Sequence, residues 1–311
     1  MFSMANNELN IKKIDGRDWE SIKNKWLAYI PNIVTPGAAP SIELKKFFGL
    51  QDLYSKTADA NKAPYFEEVV SLRSAILWEG LYLTHKAIHV IGSANIHLDN
   101  GITSWSLPNA YQASFFTIKA IISLLGISFP QLSKPFMIDC FPKGEELTRS
   151  QLKKGRVPKT ELKFLIFNDL SHVEHWEILQ RILFVSTVNC WDEDVIEYLK
   201  TMPGEKFVEE RNNLHYVNNY WTFPQDLFVP NIIPSFAESQ DFTTDYKEFI
   251  TKCEHQHSFF LNYTLIKMAL SLVKDLGSLS NTVNDEYQLM LTSIQTGMHS
   301  RFLNSIDTAI L

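Results

Sequence analysis

The stretch ERNNLHY places a permanent cation, an amide, a titratable imidazole and a phenol within six positions: Arg211, Asn212, His215 and Tyr216. On a helix, Arg211 and His215 stand four apart on one face, so both reach a single bound anion, while Asn212 projects away and can orient the imidazole. That set suits metal-free chemistry on a phosphodiester. An imidazole titrating near neutrality accepts the proton of an RNA 2'-hydroxyl, and a guanidinium neutralises charge growing on the phosphoryl oxygens. Tyr216, or His215 of a second copy, is the available proton donor to the leaving 5'-oxygen. The same residues also read as a plain helix interface, with Arg211 paired to Glu209 or Glu210.

A second group is basic. Arg149, Lys153, Lys154, Arg156, Lys159 and Lys163 fall within fifteen positions. They read either as a solvated loop or as a rim that raises the local concentration of phosphate, a substrate-binding role.

Histidines recur at helical spacing. His85 and His89 stand four apart, as helix-borne metal ligands do, with His97 and Asp99 near in sequence. They read equally as structural or surface histidines; the rest of a ligand set is missing, so neither a metal nor another cofactor is expected. His172 and His175, beside Trp176, suit packing between helices, and the two-residue spacing of His255 and His257 turns them to different helix faces. Trp105, Trp191 and Trp221 flank predicted loops. They fit a core, or the rim of an aromatic groove that receives a protein helix or a small molecule.

These residues sit in a chain of 311 residues with 45% hydrophobic and 21% charged content, long enough to bury a core without staples. A net charge of -6 argues against non-specific coating of nucleic acid but allows a local basic site. Cys140, Cys190 and Cys253 are odd in number and widely spaced, which suggests neither a disulfide framework nor a cysteine zinc site. A reducing, cytoplasmic setting is the simpler fit. The opening MFSMANNELN lacks the pattern of a secretory leader, and no apolar run is long enough to span a membrane. The glycine-rich dinucleotide and phosphate-loop patterns are absent, as is His-Glu-x-x-His.

The elements that must position the site are helices. Apolar residues recur at three- and four-residue steps over 65–91, with Gly92 as the stop. Ser106 as cap, Pro108 near the first turn and Gly126 as terminator bound a helix over 107–125. Further periodic runs cover 170–189 and 245–276, and these four runs are expected to form a bundle. Shorter helices are expected around 18–29 and 42–48, after Trp191, near the ERNNLHY stretch and at the end of the chain. PFMIDCF suits a short strand, but the scarcity of alternating Val, Ile and Thr argues against a substantial sheet. The expected architecture is mainly α: a helical bundle over 63–311 with a long loop insertion around 128–165, and a small irregular N-terminal appendage over 1–62.

Ala110, Tyr111, Ala113 and Phe115, then Lys119, Ala120, Leu124 and Leu125, together with Arg211, Asn212 and His215, resemble the HEPN superfamily of helical domains. Its long second helix carries an Ala-Tyr-x-Ala-x-Phe pattern, and its active helix carries Arg, a polar residue and His. The resemblance implies a metal-independent endoribonuclease of toxin or defence systems, acting on single-stranded RNA, commonly as a homodimer. In this chain three residues separate Arg211 from His215, where the family has four to six. Some members bind nucleotides or proteins without cutting RNA, which leaves a non-catalytic helical binding module for a protein or nucleotide as the alternative.

Overall fold

The computed structural model describes residues 7–8, 10–30, 39–47, 65–66, 70–100, 103–130, 135–142, 162–167, 170–202, 208–209, 212 and 257–297. The fold is mainly helical. Helices are α1 Trp19–Trp26, α2 Pro40–Phe47, α3 Val70–Asp99, α4 Thr103–Leu124, α5 His172–Val185, α6 Glu193–Thr201, α7 His257–Gly277 and α8 Asn281–Gly297. Strands are β1 Tyr65–Phe66, β2 Ile127–Ser128, β3 Phe136–Asp139 and β4 Leu162–Ile166. The chain forms two compact units, one of residues 1–80 and 122–188, the other of 81–121 and 189–311.

Unit one holds a small antiparallel sheet in the order β1-β4-β3-β2, with Ile138 opposite Phe164 and Ile127 opposite Asp139. Every residue of β3 and all but the last of β4 are buried, the charged Asp139 and Lys163 among them, so these strands show no alternation of polar and apolar residues. Alternation marks a strand only where one of its faces meets water. The segment expected as an appendage supplies Ile14, Trp19 and Trp26 to the same core. Trp26 donates its indole N–H to the Leu124 carbonyl at 2.7 Å and meets Phe141 edge-on at 4.6 Å. Between them Gly126 ends α4 at φ 85°, where a Cβ would fall 2.6 Å from the Phe141 ring. The turn therefore needs glycine on two counts, the left-handed backbone and the absent side chain.

Caps fix the helix starts. Asp18 accepts the Ser21 N–H ahead of α1, and Asp192 accepts those of Asp194 and Val195 ahead of α6. Ser171 and Glu174 form a reciprocal capping box on α5.

Unit two is built on the hairpin of α3 and α4. Helix α3 runs seven residues past Gly92, the expected stop. A helix-interior glycine costs only about 1 kcal/mol relative to alanine, less than the burial of Ile91 and Ala94 beside it contributes. Helix α4 begins at Thr103, so Ser106 is a buried interior residue and not the cap, and Pro108 lies inside the helix. Helix α7 locks onto the hairpin from within. Tyr263 donates its hydroxyl to Asn95 Oδ1 at 2.9 Å, and Asn262, fully buried, donates to the carbonyl of Ala110.

Candidate functional site

Of the residues proposed for phosphodiester chemistry, Asn212 is helical and half-buried. Arg211, His215 and Tyr216 lie outside the described residues, as do Arg149, Lys153, Lys154, Arg156 and Lys159. Lys163, the last of the basic run, lies on β4, where it is buried, donates to the Lys13 carbonyl at 2.7 Å and pairs with Asp15 at 3.1 Å. It is a structural cation, not part of an open rim.

The Ala-Tyr-x-Ala-x-Phe stretch lies on α4. Ala110, Ala113, Ala120, Leu124 and Leu125 are fully buried and Tyr111 nearly so. Its other side is half-exposed: Phe115 and Phe116 stand 6.3 Å apart, the Lys119 ammonium lies 5.8 Å from the Phe115 centroid, and Lys86 of α3 lies 4.1 Å from that of Phe116. Neighbouring polar contacts tie the same elements together. Asn109 Nδ2 is 3.2 Å from His97 Nδ1, and His85 Nε2 lies 2.9 Å from Glu286 Oε2 on α8.

His85 therefore engages a carboxylate, and His89, one turn on, is exposed. Among the described residues no cluster of three or more His, Cys, Asp or Glu side chains is placed to hold a metal ion. His175 is buried, with Nδ1 2.7 Å from the Ser171 carbonyl and its ring edge-on to Phe129. Beside it Trp176 is a core residue. The side chain of His257 and all of His255 fall outside the described residues. The tryptophans diverge. Trp105 is 59% exposed, whereas Trp191 is buried and donates to the Met268 carbonyl at 3.0 Å, so it lines a core and not a groove rim. Trp221 lies outside the described residues.

Sequence reasoning missed a buried charged group in unit one. Arg17 Nη2 approaches Asp139 Oδ2 to 2.7 Å with side chains 1% and 0% exposed. Arg73 donates to the Tyr29 hydroxyl and lies over the Tyr29 and Phe141 rings, and Glu79 accepts from Ser128 Oγ at 2.6 Å. Among these charges stands Cys140, whose thiol is pushed up to about 12 by burial, helped by Asp139 and Glu79 and opposed by Arg73 and Arg17. A thiol held protonated in this way is no nucleophile at neutral pH. No described helix is long and apolar enough to cross a membrane.

Comparison with family models, with curated proteins and with solved structures finds no match to this chain.

Proposed function

We propose that the protein is a metal-independent endoribonuclease of HEPN type that cleaves single-stranded RNA, as in toxin or defence systems. The observation that supports this reading is the packing of α4, where the small residues Ala110, Ala113 and Ala120 of the resembling pattern are buried together with Tyr111. Asn212, the one described residue of the ERNNLHY stretch, lies in helical backbone, in keeping with the helix on which this reading sets the site.

In this reading His215 takes the proton of a 2'-hydroxyl as that oxygen bonds to phosphorus. Arg211 stabilises the charge on the non-bridging oxygens, and the P–O5' bond breaks as the 5'-oxygen gains a proton from Tyr216 or from His215 of a second copy. The products are a 2',3'-cyclic phosphate and a 5'-hydroxyl. An unpaired strand is preferred because its 2'-hydroxyl reaches the in-line geometry that a duplex disfavours. The interval Arg149 to Lys159 steers the backbone. The resemblance also implies a homodimer, in which His215 of the second copy is an alternative to Tyr216 as the second proton carrier.

The test compares wild type with His215→Ala on labelled RNA in EDTA, folding being checked for both. Cyclic-phosphate ends formed by wild type and lost in the variant are expected. Cleavage by both proteins, or by neither across varied substrates, refutes the reading, and the second outcome favours a non-catalytic binding module. Sedimentation equilibrium that finds only a 35.8 kDa species at high concentration removes the dimer.

A further inference from the structure

The outer face of the α3–α4 hairpin combines three properties that its role in packing does not require. First, residues 80–98 and 101–121 contain no Asp or Glu, in a chain that has thirty-five of them, yet include Lys86, Lys119, His85, His89 and His97. Second, the polar and aromatic side chains fall in register. Tyr82, Lys86, His89, Ser93 and Ile96 lie within one narrow arc of α3, and Trp105, Asn109, Gln112, Phe116 and Lys119 repeat the same spacing on α4. At the helical rise each arc is about 21 Å long. Lys86 over Phe116 and Asn109 against His97 bind the two arcs side by side. Third, three large side chains at the ends of this strip are exposed, Trp105 at 59% and Tyr82 and Ile96 at 56% each, while Phe116 in its middle is half-exposed. Glu286 meets the hairpin at His85, and Asp99 closes α3.

We infer that this carboxylate-free strip, from Tyr82 and Lys119 to Ile96 and Trp105, is a docking surface for single-stranded RNA. Cations interleaved with aromatic rings match a strand that alternates phosphates with planar bases, since every base offers a π face and every linkage a negative charge. A purely aliphatic partner face would find little here to bury: Ile96 is the one aliphatic side chain among the three exposed large residues, and Lys86 and Lys119 lie over Phe116 and Phe115. Single-stranded DNA shares most of this chemistry, and the choice of RNA rests on the cleavage reading above.

The test uses full-length His215→Ala in EDTA, which leaves the probe intact, and fluorescence anisotropy with labelled single-stranded oligouridylate. Replacing Lys86 and Lys119 together by Glu is expected to weaken binding at least tenfold and to flatten the dependence of log affinity on log salt by about 1.4, two phosphate contacts at roughly 0.7 each. Where Glu disturbs folding, the Gln pair gives the same direction with a smaller loss. Tyr82→Ala with Trp105→Ala is expected to weaken binding about tenfold or more through lost stacking. Duplex RNA is expected to bind at least tenfold more weakly than the single strand.

Affinity unchanged within twofold in both double variants, with native circular dichroism, overturns the inference, as does equal affinity for duplex. If the variants instead abolish a dimer seen by sedimentation and leave RNA affinity intact, the strip is a contact between copies and the inference falls. Cleavage by wild type is assayed separately, so the two readings fail apart. Binding that depends on the strip without cleavage removes only the nuclease, and cleavage with strip-independent binding removes only the strip.

Discussion

Arg17 and Asp139 meet at 2.7 Å in the core of unit one, yet their approach is not aligned for a hydrogen bond, so charge and not a bidentate fork holds them. Asp139 spends its other oxygen on the Phe141 N–H at 2.9 Å. Breaking a buried pair strands an uncompensated charge, whereas removing both partners does not. Asp139→Ala is therefore expected to cost about 3–5 kcal/mol in urea unfolding, and Arg17→Met combined with Asp139→Leu much less. A double variant as unstable as the single one contradicts this account.

Cys140 and Cys190 are expected to differ in reactivity. With its thiol pushed up to about 12 and no exposed surface, Cys140 stays protonated and inaccessible, while Cys190 is half-buried beside Ser271. Peptide-resolved alkylation of native protein near neutral pH should modify Cys190 first and Cys140 only as fast as unfolding exposes it. Labelling of Cys140 at the rate of a free thiol rules this out.

Gly126→Ala is expected to destabilise by about 1–3 kcal/mol, because the left-handed backbone alone costs about 1–2 and the new Cβ presses on Phe141. Shortening that neighbour in Phe141→Leu relieves only the second part. A double-mutant cycle should thus show coupling between the two sites, and strict additivity would locate the whole cost in the backbone.

Lys267 on α7 has its ammonium pushed below its ordinary 10.5 by burial, with Asp192 opposing. The folded state then binds fewer protons than the unfolded state between the lowered value and 10.5, so stability contributed at this site rises with pH across that window. Lys267→Met is expected to melt higher than wild type near neutrality, with the gap closing as pH approaches 10.5. A gap that widens with pH reverses the sign and excludes burial as the dominant effect.

Periodicity and punctuation in the sequence determined the mainly helical class and the PFMIDCF strand, because these are local properties of the chain. Gly126 was legible as a terminator for the same reason. Tertiary structure decided the rest. Only packing against other segments carries α3 through Gly92 and draws Ser106 into a helix interior. Burial on both faces hid the sheet: β3 and β4 have no wet side to impose alternation. The Arg17–Asp139 pair joins residues 122 positions apart, and no short-range pattern records such a contact. The docking strip is intermediate. Its lack of carboxylates and its repeated spacing are written in the sequence, but that both arcs face outward and lie side by side follows from the inner faces of α3 and α4 being taken up by the core, which only the fold establishes.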